Sequence, residues 1–458
     1  MKVVICGAGQ VGASIAGYLS EEGNNVTVID LDAHLIADLN ESMNVTGIVG
    51  HAAHPDVLER AGAADAEMLI AATHSDEVNM VACQVGYSLF NIPMKIARVR
   101  EQGYLKAGWS NLFSRDHMPI DVTISPEVEV ARAIANRLRV PGAFNIIPLA
   151  DGLVKAVSVI CKPNCPLLYT PLKHLETMFP DLKVGILAIL RDDTKIIPSG
   201  DDEMRPGDEV YFVTATHHLQ RVMTAFGFDA PETRHVLIVG AGKIGTKLAQ
   251  EIQANMPNIT VRMVEGNHDN AQRVSEYLGN VMVVHGDALN RSILEEAGIQ
   301  DTEVVVSVMN HDESNILSAM LAKQYGCERA IALINNNHFM PLVSSMGIDA
   351  VVNPRSITVS TILQHVRRGR VKAAHSLRDG FAEILEVEAL DTSAIVNTPI
   401  REIKRPKDML FGLIVRGQEI LIPRSDTVIR PDDRVIMLAA HGQVKKVEQM
   451  FAVRPEYF

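Results

Sequence analysis

The sequence predicts an α/β chain built twice over, with two tandem doubly wound parallel sheets, each followed by a small α+β module. Three observations predict it. An apolar run closes on Gly7-x-Gly9-x-x-Gly12 and opens a helical stretch, and the same device recurs at Gly240-x-Gly242-x-x-Gly245. Short β-rich runs alternate with helical stretches after each motif, the pattern of a parallel sheet with crossover helices. Long segments also repeat in the same order. "GIVGHAAHPDVLERAGAADAEMLIAATHSDEVNM" (47–80) matches "VVHGDALNRSILEEAGIQDTEVVVSVMNHDESNI" (283–316), and "IIPSGDDEMRPGDEVYFV" (196–213) matches "LIPRSDTVIRPDDRVIML" (421–438).

In the first repeat, "KVVIC" and "NVTVID" read as strands, and "ASIAGYLSEEG" as a helix stopped by Gly23. "AEMLIAAT" is the next strand, "DEVNMVACQVGYSLF" a helix capped by Asp76, and "MKIARVR" a further strand. Near-continuous apolar strands suit a sheet covered on both faces. The smaller parts read differently. "GLVKAVSVICKP", "VGILAILRDDTKIIPSG" and "EVYFVTATHHLQRVMTAFG" suggest short strands, turns and a helix. The expected domains are 1–141, 142–226, 234–370 and 371–458, with the separator "FGFDAPETRH" between the halves.

Composition bounds the function. The 458 residues carry a net charge of −12, with 47% hydrophobic and 21% charged residues. That balance argues against a general nucleic-acid binder, which needs a basic face to displace counterions. "HVRRGRVK" (365–372) is a local basic exception. Five cysteines, an odd number, do not make a disulfide framework, and Cys161-x3-Cys165 has no second pair to complete a zinc site. A reducing compartment is expected. The start of the chain does not have the form of a signal peptide, and no run approaches a spanning helix, so a cytoplasmic location is expected.

The glycine motifs carry the chemistry. In a Rossmann-like turn the first glycine permits the bend, the second admits a pyrophosphate and the third lets helix and strand pack. The helix N-terminus, at Gln10-Val11-Gly12 and at Lys243-Ile244-Gly245, offers N–H groups to phosphate oxygens. Asp30 and Glu265 follow at the ends of the next strands, placed to accept from ribose hydroxyls. A carboxylate there repels a 2′-phosphate, which favours NAD(H) over NADP(H). A second cluster follows the fourth strand, with Thr73 and Asp76 in the first half and Asp312 in the second. Arg98 and Arg100 end the next strand, ready to neutralise phosphate; Ile334 and Asn336 are expected in their places in the second half. His51 stands opposite Asp287, so adenine recognition should differ between the sites. Purely structural readings stand beside these: glycines kept for packing, Asp76 and Asp312 as helix caps, and the arginines as a solvated strand end.

Catalysis is not expected. His51, His54, His74 and His311 are the candidate proton carriers, but no Ser-His-Asp, Cys-His or Tyr-x-x-x-Lys arrangement accompanies them. "HAAHPD" pairs two histidines without an evident third metal ligand, and Pro55 puts His54 in a helix-cap region.

Taken together, "GAGQVG", "VTVIDLD", "GHAAHPDVLERAGA", "THSDEVNM", "ARVR" and "QHVRRGRV" give the chain a pattern that resembles the RCK (KTN) regulatory domains of potassium channels and transporters. The resemblance spans essentially the whole chain and rests on order and tandem arrangement more than on any one motif. It implies four units, each Rossmann-like part followed by an RCK C-terminal type part. It also implies a peripheral gating subunit on the cytoplasmic face of the plasma membrane. Such a subunit binds NAD(H), with ATP or ADP as further candidates, and assembles as a homo-oligomeric ring, expected to be a tetramer. It acts on a Trk-type integral membrane potassium transporter subunit. Carried over, Gly7, Gly9, Gly12 and Asp30 would hold one nucleotide, and Gly240, Gly242, Gly245 and Glu265 the other, with Asp76 and Arg98 or Arg100 nearby. Segments 125–142 and 353–369 read as helices with apolar stripes and are expected to make dimer contacts, with ordinary packing inside the domain as the alternative. A nicotinamide-dependent oxidoreductase and a free-standing nucleotide sensor are the alternatives.

Overall fold

The computed structural model describes residues 1–109, 111–179, 182–192, 194–229, 233–339, 342–343, 346–366, 371–377, 380–440 and 442–452. Half of the basic run at 365–372 and part of the separator lie outside them. The chain groups into two compact units that cut across the repeat. The first holds Met1–Arg132, Leu333–Asn337 and Val352–Val366; the second holds the rest.

The first unit is built on β1 (Lys2–Cys6), α1 (Gln10–Glu21), β2 (Asn25–Asp30), α2 (Ala33–Ser42), β3 (Thr46–Val49), α3 (Pro55–Arg60), β4 (Met68–Ala71), α4 (Asp76–Ser88), β5 (Met94–Arg98), β6 (Val122–Ile124) and the start of α5 (Pro126–Arg139). The strands order as β3-β2-β1-β4-β5-β6, with parallel pairing throughout. The order reverses between β1 and β4, which opens a crevice at the carboxyl edge. Alternate residues of β1 serve opposite faces. Val3 and Ile5 join Ile15, Leu19 and Ile70 on one side, while Val4 and Cys6 join Leu69, Met80 and Cys83 on the other. Two buried faces account for the apolar runs read from the sequence. Gly23, at φ +71°, ends α1 as expected.

In the second unit β7 (Ala143–Leu149), β8 (Val154–Ile160), α6 (Leu172–Met178), β9 (Val184–Arg191), β10 (Thr194–Ile196), β11 (Glu209–Ala215) and α7 (Leu219–Ala225) form the first small module. Then come β12 (His235–Val239), α8 (Lys243–Asn255), β13 (Thr260–Glu265), α9 (His268–Leu278), β14 (Met282–His285), α10 (Arg291–Glu296), β15 (Val304–Ser307), α11 (Asp312–Gln324), β16 (Arg329–Leu333) and β17 (Ala350–Val352). Their sheet, β14-β13-β12-β15-β16-β17, repeats the order of the first. The helix that follows, α12 (Pro354–Val366), belongs to the first unit. It packs on α1 and β6, and its Ile362, Leu363 and Val366 are buried in the cluster that holds Ile15 and Leu19. The helical segment expected at an interface thus serves one inside the chain. At the other end of the exchange, Arg137 near the end of α5 donates to the Val351 carbonyl at 3.1 Å within the second unit.

The last module has β18 (Val371–Ser376), β19 (Ala382–Glu388), β20 (Met409–Arg416), β21 (Glu419–Leu421), β22 (Arg434–Ala440) and α13 (Val444–Met450). Its antiparallel sheet, β18-β19-β22-β20-β21, has the topology of β7-β8-β11-β9-β10. The two small sheets share a core that includes Leu187, Val213, Ile384, Leu413 and Ile436. Gly185 and Gly412 let them approach: a Cβ on Gly185 would lie 2.6 Å from the Gly412 carbonyl oxygen. The matched "RPGDEV" and "RPDDRV" segments also have a physical reason. Asp208 takes a two-pronged contact from Arg191 at 2.9 and 2.8 Å, and Asp433 takes one from Arg416 at 2.8 and 2.8 Å. Each carboxylate also accepts a turn N–H, from Arg205 or Arg430.

Two outcomes follow. Asp433→Ala should cost on the order of 3 kcal/mol, toward the low end for a broken buried pair because Arg416 keeps some solvent; denaturant melting and faster amide exchange in β20 and β22 measure it. Leu363→Ala should destabilise the first unit by about 2–5 kcal/mol. Exchange protection lost from β1 and α1 would report it, and protection unchanged there would mean α12 is not part of that core.

Candidate functional site

The glycine loops show which glycines the fold itself requires. Gly7 has φ +109° and Gly240 +103°, the left-handed region that other residues avoid. A Cβ on Gly12 would sit 1.8 Å from the Gly7 carbonyl oxygen, and one on Gly245 would sit 2.0 Å from that of Gly240. These four are needed for the turn and for packing. Gly9 and Gly242 are not. Their φ angles are −64° and −68°, open to any residue, and a Cβ on either would meet nothing within 4 Å. The missing side chain leaves open space at the start of α1 and α8.

That space lies at helix ends without side-chain caps. Gly9 and Gly242 provide no cap hydrogen bond, whereas α2, α4, α9 and α10 are capped by Asp32, Ser75, Asn267 and Asn290. The first-turn residues, Gln10, Val11 and Gly12 in α1 and Lys243, Ile244 and Gly245 in α8, carry the N–H groups that precede the helical ladder. A phosphate fits such an end by charge and by hydrogen bonding.

The acids do more than the sequence suggests. Asp30 Oδ2 accepts from Ala8 N at 2.6 Å and Oδ1 from Asp32 N at 2.9 Å. Glu265 Oε2 accepts from Ala241 N at 2.8 Å and Oε1 from Asn267 N at 2.8 Å. Each carboxylate clamps its glycine loop to the neighbouring strand end. A carboxylate has about four acceptor positions, which leaves room for a ribose hydroxyl. In the second half Asn270 also donates to Glu265 at 3.0 Å and to the Ala241 carbonyl at 3.0 Å. Sequence reading missed this residue, whose signal is only a polar side chain one helical turn past the acid.

The cluster after β4 corrects two expectations. Ser75, not Asp76, caps α4: its hydroxyl accepts from Val78 N at 3.2 Å. Asp76 is the first helical residue, and its Oδ2 accepts from Arg100 N at 2.9 Å and Glu101 N at 2.7 Å, fixing the loop after β5. In the second half His311 is the cap-position residue and Asp312 opens α11. Thr73 is held by buried Asn79, whose Oδ1 accepts from Thr73 N at 2.8 Å and from its hydroxyl at 2.7 Å. Asn79 Nδ2 donates to the Arg98 carbonyl at 2.9 Å, tying α4 to β5. Asn315 repeats the bracket on Met309, at 2.7 and 3.0 Å.

Arg98 and Arg100 differ. Arg100 Nε pairs with Glu127 Oε1 at 3.0 Å. Arg98 Nε is buried without a hydrogen-bond partner. Burial, then the charge of Arg100, pushes its guanidinium below the ordinary arginine range, with Glu127 and Asp76 opposing. Strand register corrects the second half. β5 and β16 begin together at Met94 and Arg329, so Leu333 and Asn335, rather than Ile334 and Asn336, take the places of Arg98 and Arg100. Neither residue is a cation.

His51 and Asp287 share a local job despite their chemistry. Asp287 Oδ1 accepts from Leu289 N at 2.9 Å, and His51 Nδ1 accepts from Ala53 N at 3.3 Å while its ring stacks on His54 at 4.5 Å. His54 is the cap-position residue ahead of Pro55, as expected. Among the described residues no group of three or more His, Cys, Asp or Glu side chains is placed to hold a metal ion, and no helix is long and apolar enough to cross a membrane. A surface depression of about 530 Å³ between α8 and α9, lined by Lys247, Gln250 and Tyr277 among others, contains no glycine-loop residue. The loops, with matched chemistry in both halves, are the stronger site.

A family model described as the TrkA-N domain matches residues 3–126 and 236–354, and one described as the TrkA-C domain matches 156–227 and 384–452. A Trk system potassium uptake protein TrkA of Azorhizobium caulinodans is 46% identical over 458 residues, covering 100% of both chains. Proteins of the same name from Halomonas elongata and Vibrio alginolyticus are each 38% identical, covering at least 99% of both chains. Among solved structures, the GsuK RCK domain superposes with a TM-score of 0.60 at 18% identity, covering 99% of this chain and 95% of the other. The GsuK channel bound to NAD superposes with a TM-score of 0.60 at 17% identity, covering 99% and 79%. The fold is that of tandem RCK domains, and the chain belongs to the family of Trk system potassium uptake proteins TrkA.

Proposed function

We propose that each glycine crevice binds an adenine nucleotide, NAD(H) foremost with ATP and ADP as further ligands, and that occupancy regulates potassium uptake. The space left at Gly9 and Gly242 carries this reading, because neither backbone conformation nor packing asks for glycine there. Around each space stand an uncapped helix end and an acid with acceptor capacity to spare. The nucleotide's phosphates would lie against Gly9-Gln10-Val11 or Gly242-Lys243-Ile244, and its ribose hydroxyls against Asp30 or Glu265. Thr73, Asp76 and Arg98 would border the first site, and Asp312 the second. His51 and Asp287 would sit on the adenosine side.

The chain would act as a peripheral subunit at the cytoplasmic face of the membrane, assembled as a homo-oligomeric ring, a tetramer, beneath a Trk-type integral membrane transporter subunit. The relatives' name, a potassium uptake protein, supports the transport role. No catalytic step is assigned. A ligand shifts a conformational equilibrium only by its differential affinity for the two states, so two unlike crevices allow two inputs of opposite sign.

Binding is tested by calorimetric titration of the full chain with NADH, NAD, ATP and ADP. Gly9→Val and Gly242→Val add a side chain whose Cβ meets nothing within 4 Å, so each should stay folded, with a thermal midpoint lowered only by the weaker N-cap, and lose at least tenfold affinity at its own site. Unchanged affinity in both variants would sink the proposal, and NADH consumption with a metabolite would favour an oxidoreductase. Transport is tested by potassium uptake in cells with a Trk-type membrane subunit. Loss of this chain should lower uptake, and the double glycine variant should blunt its response to nucleotide levels. Uptake indifferent to the chain would point to a soluble sensor acting elsewhere.

A further inference from the structure

A residue from the second repeat reaches α1, the helix that follows the first glycine loop. Arg355, the second residue of α12, directs Nε and Nη2 at the Ser14 hydroxyl, at 2.9 and 2.7 Å. Ser14 Oγ in turn donates to the Gln10 carbonyl at 2.8 Å. Gln10 is the first residue of α1, directly after Gly9, so Ser14, which anchors the guanidinium, lies five residues, ~7.5 Å of rise, from the open space at Gly9. Packing holds it there, because Ile362, Leu363 and Val366 are buried beneath α1.

The charge is locally out of place. A cation in the first turn of a helix opposes the helix dipole. In the repeat-matched helix α5 the residue after the leading proline is an acid, Glu127, which has the favourable sign. Glu127 is paired with Arg100 in the first unit. The first unit thus carries two cations near the glycine loop's elements, Arg355 on α12 against α1, and Arg98 at the end of β5, whose Nε has no hydrogen-bond partner. At the repeat position of Arg98 the second half has Leu333.

Resting on the nucleotide reading above, we propose that Arg355 is a specificity-determining residue of the first site, where it meets the terminal phosphate of a nucleoside polyphosphate. A dinucleotide ends its phosphate chain at the second ribose, whereas ADP and ATP extend further negative charge past the α1 N-terminus. A guanidinium matches such an anion by charge and by its forked donors. The first site would therefore favour ATP over NADH relative to the second. Its ligand would also bind a helix of the second repeat to the first sheet.

The test uses the full chain carrying Gly242→Val, so that only the first site reports. Titrations compare AMP, ADP, ATP and NADH on this background alone, with Arg355→Ala and with Arg355→Lys. Loss of one charge-assisted contact predicts roughly tenfold or greater weakening for ATP with Arg355→Ala. ADP should lose less, AMP and NADH should stay within about twofold, and Arg355→Lys should recover part of the ATP affinity. ATP should also slow amide exchange in α12 of the arginine form only. Equal loss for all four ligands would reduce Arg355 to a packing role, and unchanged ATP affinity would overturn the proposal outright. If the folded Gly242→Val chain binds neither ATP nor NADH, the failure belongs to the nucleotide reading of the first site.

Discussion

A single steric contact organises each large domain: the third glycine of the loop lies against the carbonyl of the first. No side chain fits between Gly12 and Gly7, or between Gly245 and Gly240. That closeness brings the helix down onto the strand and points its N-terminal end at the carboxyl edge of the sheet. Asp30 and Glu265 then clamp the loop through Ala8 and Ala241. The acid is therefore part of the scaffold before it is part of any site. Replacing it would disturb the loop along with any ligand contact, whereas the middle glycine separates the two roles.

Much of this was legible in the sequence because it is local. Loop glycines, the acid at the next strand end and strand–helix alternation each lie within a short window, and the repeat doubled the signal. The small modules were legible as short strands, and the Arg191–Asp208 and Arg416–Asp433 contacts explain why their turns repeat. What was hidden depends on distance in the chain. Asp76 looked like a cap because acids favour that position, but its partners, the N–H groups of Arg100 and Glu101, lie on the next strand's loop. The Ile334 and Asn336 assignment was one residue off although the sequence held the answer: "MKIARVR" matches "RAIALIN" without a gap, and the pairing of β5 and β16 agrees. Nothing in the sequence around Arg355 indicates that its partner is Ser14.

The duplication is uneven in a physically useful way. The two sheets share order and loop geometry, so both glycine loops have the same backbone shape and the same open space at the middle glycine. Their rims differ: cations at Arg98 and Arg100 against Leu333 and Asn335, imidazole at His51 against carboxylate at Asp287, and an extra amide at Asn270. Binding strength can thus be common to both sites while ligand preference diverges. The small modules, by contrast, have merged their cores across Gly185 and Gly412, and form one body within the second unit.

The placement of α12 in the first unit bears on how the chain is made. During synthesis the first sheet emerges before the helix that covers Ile15 and Leu19, so its apolar side waits for more than 200 further residues. A nascent first repeat on one ribosome meets the same surface on its neighbours, and pairing between chains competes with pairing within one. Fusion favours the internal partner, because a tethered helix has a high effective concentration that does not depend on expression level. The arrangement makes a fixed ratio of the two large domains a property of the gene rather than of assembly.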